Sequence, residues 1–93
     1  MTIETLKNRI LDVTKEYPIS RIVLFGSRAN GTNTEESDVD LIMEFSEPIT
    51  LIMLSRIRNQ LEQALELEVD IIHGPLRDTD LIEVESTVEL YAA

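Results

Sequence analysis

The stretch LFGSRANGTNTEESDVDL, Leu24 to Leu41, joins the end of one apolar β-type run to the start of another. Gly26-Ser27 breaks the first run with a turn, and a polar loop then delivers Asp38 and Asp40 at spacing i, i+2. Alternate residues of a strand share a face, with Cα atoms roughly 6.5–7 Å apart. Two carboxylates so placed suit a hard cation such as Mg²⁺, and a Gly-Ser turn suits the phosphates that such a cation binds. The pattern points to phosphate chemistry.

On either side the chain alternates between helical and β-type periodicity. Ile3, Leu6, Ile10, Val13 and Tyr17 recur at helical spacing, with Thr2 as N-cap and Pro18 as terminator. SRIVLF, 20–25, reads as a buried strand stopped by Gly26, and VDLIMEF, 39–45, as a second strand interrupted by Glu47-Pro48. A second helix is expected over about 50–66, with Leu51, Leu54, Ile57, Leu61, Ala64 and Leu65 on one face. EVDII, 68–72, reads as a third strand closed by Gly74-Pro75. The last segment fits two periods. Leu81, Val84, Val88 and Tyr91 suit a helix, whereas Ile82, Val84, Val88 and Leu90 suit a strand. The helix is favoured because Asp78 or Thr79 offers an N-cap and Glu83 falls in the first turn. The expected fold class is α+β: a small mixed sheet of three or more strands with helices on one face, forming a single domain over 1–93.

Composition narrows the functions. Eight basic residues against eighteen acidic ones give a net charge of −10, with no basic stripe to displace counterions from a nucleic-acid backbone. Direct binding of DNA or RNA is therefore disfavoured, and a basic protein partner or a phosphate ligand that arrives with its own Mg²⁺ fits better. The chain has no cysteine, which excludes disulfides and thiolate metal sites. No apolar run approaches a membrane span and TIETLKNRI lacks a signal pattern, so no membrane role and a cytoplasmic location are expected.

Each candidate site residue has a plainer reading beside the functional one. Gly26-Ser27 alone is an ordinary turn signal with Ser27 as an N-cap. A P-loop reading fails, because Gly26 and Gly31 have its spacing but Thr32 stands where the lysine must be. Asp38 alone suits a turn, and Asp40 alone suits the solvent face of a strand. Asp40 lies between Val39 and Leu41, however, where a buried carboxylate needs a cation, a hydrogen-bond network or a raised pKa. Asp70 repeats that anomaly inside VDII, either as a third acid of the same patch or as a residue at an exposed strand end. Three converging acids would repel unless divalent metal were present, the arrangement of two-metal phosphoryl transfer. Arg28 is read equally as a phosphate contact and as a structural residue. His73 in its loop is taken as incidental, Arg77 as a weaker substrate or partner contact, and Glu62, Glu66 and Glu68 as a solvated face.

Together, Gly26-Ser27-Arg28-Ala29-x-Gly31, a short loop and Ser37-Asp38-x-Asp40-Leu41 resemble the signature of minimal nucleotidyltransferases of the DNA polymerase beta-like superfamily. The resemblance implies a palm-like fold and transfer of AMP, or another nucleoside monophosphate, from a nucleoside triphosphate such as ATP. It implies two Mg²⁺ ions held by Asp38, Asp40 and Asp70, and Gly26, Ser27 and Arg28 as nucleotide-binding residues. Small members of the family often act as antitoxins paired with a HEPN-domain ribonuclease toxin, some by adenylylating a tyrosine of it. A hetero-oligomer with such a toxin is expected on that basis, with a homodimer as the other arrangement. The competing function is a non-catalytic antitoxin that neutralises its partner by occlusion. Transfer to a free small molecule is disfavoured, because the chain has no second lobe to shape an acceptor pocket.

Overall fold

The computed structural model describes residues 1–75 and 87–93. Helix α1, Ile3–Thr14, starts where the Thr2 side chain accepts a bond from the Thr5 N–H at 3.1 Å. Helix α3, Leu51–Leu65, starts the same way, with Thr50 Oγ1 accepting from the Met53 N–H at 3.1 Å. Each hydroxyl satisfies a first-turn donor that has no partner within the helix. Between the two helices lie β1 (Ile19–Phe25), the four-residue helix α2 (Ser27–Asn30) and β2 (Val39–Phe45). β3 (Val69–His73) follows α3, and β4 (Val88–Ala92) is near the C-terminus.

The described strands form one mixed sheet in the order β3-β2-β1-β4. β2 and β3 are parallel, as a β-α-β crossover through α3 allows, and β1 is antiparallel to both β2 and β4. This is the expected α+β class, with the mixed sheet at its centre.

Strand periodicity decides which face is buried. Ile22 and Leu24 of β1, Val39, Leu41 and Met43 of β2, Val69 of β3 and Leu90 of β4 join Leu6 and Ile10 of α1 and Ile57, Leu61 and Leu65 of α3 in one core. A register shift between Ile19 and Arg21 lets Ile19 reach that core as well. Alternation turns Asp40, Ile42 and Glu44 of β2 to the opposite face. There the Arg21 guanidinium donates to Glu44 at 3.2 Å and to Glu89 at 2.8 Å, tying β2 to β4 across β1. Leu61 is fully buried, so Leu61→Ala is expected to cost about 2–5 kcal/mol in a denaturant titration.

Two expectations are corrected. Val88 to Tyr91 lie in a strand rather than in a closing helix, because pairing with β1 satisfies their backbone groups and seats Leu90 in the core. The remainder of that expected helix, with Asp78, Thr79, Leu81, Glu83 and Val84, lies outside the described residues. Leu51 and Ala64, expected on the apolar face of the second helix, are exposed, Leu51 by 82%, and the buried stripe is Ile57, Leu61 and Leu65. Leu51 is the first residue of α3, at the end of the helix away from that stripe. No helix among the described residues is long and apolar enough to cross a membrane.

Candidate active site

The ladders bring the candidate residues into a row across the sheet. Asp40 is paired with Asp70 on its β3 side and with Phe25 on its β1 side, so Gly26 follows directly beside it. Paired residues of neighbouring strands lie about 5 Å apart and project to the same face. Asp38, one residue before β2 begins, is near enough for its charge to act on Asp40. Of the three aspartates Asp40 is half-buried and Asp38 and Asp70 are exposed.

Asp40 holds its proton more tightly than an ordinary aspartate. Burial is the largest cause, followed by the negative charge of Asp70 and then that of Asp38. A cation at this patch would relieve all three effects. Carboxylate oxygens are the donor type that Mg²⁺ prefers, so the donor chemistry fits that ion. Among the described residues no three acidic or imidazole side chains are already drawn together at metal-ligand spacing. Binding by all three carboxylates would therefore require them to draw closer together.

Gly26 has a more specific role than a turn signal. Its φ of 74° and ψ of −157° lie in a region open essentially to glycine alone. A β-carbon there would also overlap Asp40 Oδ2 and sit 3.3 Å from Asp40 Cγ. The absence of a side chain lets the Asp40 carboxylate lie against the backbone of the Gly-Ser turn. Ser27, half-buried, follows at the first position of α2.

Arg28 is 4% exposed, and its guanidinium points back at the loop that precedes Asp38. Nε donates to the Ser37 carbonyl at 3.1 Å, and Nη2 donates to those of Glu35 at 3.2 Å and Thr34 at 3.4 Å. The loop braces itself as well, since the Thr34 N–H donates to Ser37 Oγ at 2.8 Å and the Ser37 N–H to the Thr34 carbonyl at 3.2 Å.

Sequence reading passed over two further features. Glu62, taken as part of a solvated face, accepts a bond from the Val69 N–H at 3.0 Å and so anchors the start of β3 one residue before Asp70. A cleft of about 250 Å³ beside Asp70 is lined by Leu54, Ser55, Arg58, Asp70 and Ile71. No local pattern in the sequence announces that Arg58 borders an acid of another element. His73 pairs with Met43, three positions along the ladder from Asp70, and packs edge-on against Phe45 with ring centres 5.2 Å apart. Arg77 lies outside the described residues.

Comparison with known proteins bears on the family and the fold. The family model of the nucleotidyltransferase domain matches residues 6–89. A candidate protein adenylyltransferase of Methanocaldococcus jannaschii is 35% identical over 88 residues, covering 89% of this chain and 95% of its own. Two solved structures share the fold. A toxin–antitoxin crystal structure with AMP-PNP superposes with a TM-score of 0.79 at 23% identity, over 94% of this chain and 73% of that one. A complex of a tri-AMPylated Shewanella oneidensis HEPN toxin with its MNT antitoxin does so with a TM-score of 0.73 at 19% identity, over 97% and 72%.

Proposed function

Because the chain belongs to the nucleotidyltransferase domain family, we propose that it transfers AMP from ATP to a hydroxyl of a protein partner, a tyrosine of a cognate HEPN toxin, and so acts as an antitoxin. The observation that carries this reading is the Asp40–Asp70 pair set against the backbone of Gly26, with the charge of Asp38 acting on Asp40. The relative named as an adenylyltransferase, the toxin–antitoxin neighbour with AMP-PNP and the HEPN toxin–MNT antitoxin neighbour support the choice of donor and partner.

In this reading Asp38, Asp40 and Asp70 hold two Mg²⁺ ions, which supply positive charge to the triphosphate and lower the pKa of the acceptor hydroxyl. Gly26 and Ser27 hold the β- and γ-phosphates on the β1 side of Asp40, and Asp70 faces the acceptor on the β3 side. That order across the sheet suits in-line displacement. The acceptor oxygen bonds to the α-phosphorus as the bond to the bridging oxygen breaks. Pyrophosphate leaves, and the hydroxyl proton passes to solvent. A cytoplasmic setting supplies both ATP and Mg²⁺.

A second reading, occlusion without chemistry, is favoured by one surface. Leu51 and Ile52, 82% and 74% exposed, flank a cleft of about 470 Å³ shared with Ser55, Arg56, Asn59, Gln60 and Gln63, suited to a partner protein. Mass spectrometry of the partner after co-expression separates the two. An added AMP that disappears with Asp38→Asn/Asp40→Asn, together with protection against the toxin, supports transfer. Undiminished protection by that variant supports occlusion.

A further inference from the structure

We propose that Arg28 is a positioning residue: its buried guanidinium fixes the peptide that precedes Asp38, and through it the presentation of Asp38 and Asp40 to a metal-bound nucleoside triphosphate. The inference rests on the functional reading above but goes beyond it, since sequence alone leaves Arg28 divided between a phosphate contact and a structural residue.

Three observations carry it. Nε and Nη2 are spent on carbonyls 34, 35 and 37, and only Nη1 has no partner among the described residues, which leaves little guanidinium surface for a phosphate. The Ser37 carbonyl belongs to the peptide bond that leads into Asp38, so holding it restricts the approach of that side chain. Finally, Arg28 is the second residue of α2, directly after Ser27. One side chain therefore couples the Gly-Ser turn to the acid loop. Carbonyl oxygens carry partial negative charge and satisfy a buried cation through charge-assisted bonds. The planar fork of arginine reaches several carbonyls at once, whereas a lysine is a single point charge and cannot.

The test uses the whole chain, with Arg28→Lys and Arg28→Gln. Hydrogen exchange is followed at residues 34–38, and ATP binding is measured by calorimetry with and without Mg²⁺. Exchange at 34–38 is expected to accelerate in both variants, less for lysine than for glutamine. Affinity for ATP with Mg²⁺ falls about ten-fold or more, as for groups that orient metal ligands, while affinity without Mg²⁺ holds. Added to Asp38→Asn, either substitution costs no further affinity. Equal loss with and without Mg²⁺ would make Arg28 a phosphate ligand and overturn the proposal. So would additivity with Asp38→Asn, or a lowered Tm with the Mg²⁺-dependent affinity intact. If Arg28→Gln does not fold, Arg28→Lys decides. A wild-type chain that binds ATP no better with Mg²⁺ contradicts the functional reading instead, and unchanged exchange at 34–38 then overturns the positioning role by itself.

Discussion

Asp40→Asn is expected to lower AMP transfer about a thousand-fold, equivalent to about 4 kcal/mol in the barrier, while the metal-free chain becomes more stable at neutral pH. The two effects share a cause. Asp40 is half-buried between Asp70 and Asp38, and each of these circumstances opposes its ionisation. Below the ordinary carboxyl range both folded and unfolded chains carry the proton, so there is no penalty. As pH rises through that range the unfolded chain releases its proton first, and stability falls until the raised folded value is passed. Above that window the penalty is complete. Asparagine does not titrate, so the variant escapes the penalty but also loses the charge that would hold a cation. Melting curves against pH without metal should therefore show wild type falling below the variant across the window. Added Mg²⁺ should raise the wild-type Tm and leave the variant unmoved. A variant no more stable than wild type above the window would remove the electrostatic argument.

Gly26→Ala carries the second large effect, and Gly31→Ala isolates its origin. At Gly26 an alanine must adopt a backbone conformation nearly closed to it and displace the Asp40 carboxylate. Strain and overlap together are expected to cost about 3 kcal/mol, a fall in Tm of more than about 10 °C for a chain of this size. Transfer should fall about a hundred-fold even where the variant is fully folded, because the carboxylate no longer lies where the site needs it. Gly31 also has a positive φ, 84°, but a β-carbon there meets nothing within 4 Å. Gly31→Ala should cost about 1 kcal/mol of strain and leave transfer per folded molecule unchanged. Equal catalytic losses at both positions would mean that backbone strain, not contact with Asp40, explains the need for Gly26.

What was legible in the sequence was whatever local periodicity encodes. The apolar runs of β1, β2 and β3 and the helical spacing of α3 are local signals whose elements lie within a residue of where those signals end, whereas α1 stops at Thr14, three residues short of Tyr17. Asp40 and Asp70 stood out because each interrupts an apolar strand, and the parallel ladder then sets them side by side. The features that escaped are non-local. Val88 to Tyr91 satisfy two periods equally well, and only hydrogen bonding to β1, more than sixty residues earlier in the chain, selects the strand. Arg28 looks the same in sequence whether its partner is a phosphate or a carbonyl. Its choice depends on how the loop at 34–37 folds back over α2. Glu62 reads as part of a solvated face, and Arg58 carries no local signal, until β3 is placed alongside α3.

The most direct test of AMP transfer at this site uses ATP labelled in turn at the α- and γ-phosphates, with Mg²⁺, the intact chain and its cognate partner protein. The expected result is label on the partner from α-labelled ATP only, with γ-label released as pyrophosphate, and loss of both signals with Asp38→Asn/Asp40→Asn. Partner labelled from γ-labelled ATP, or α-labelling undiminished in the double variant, would contradict it.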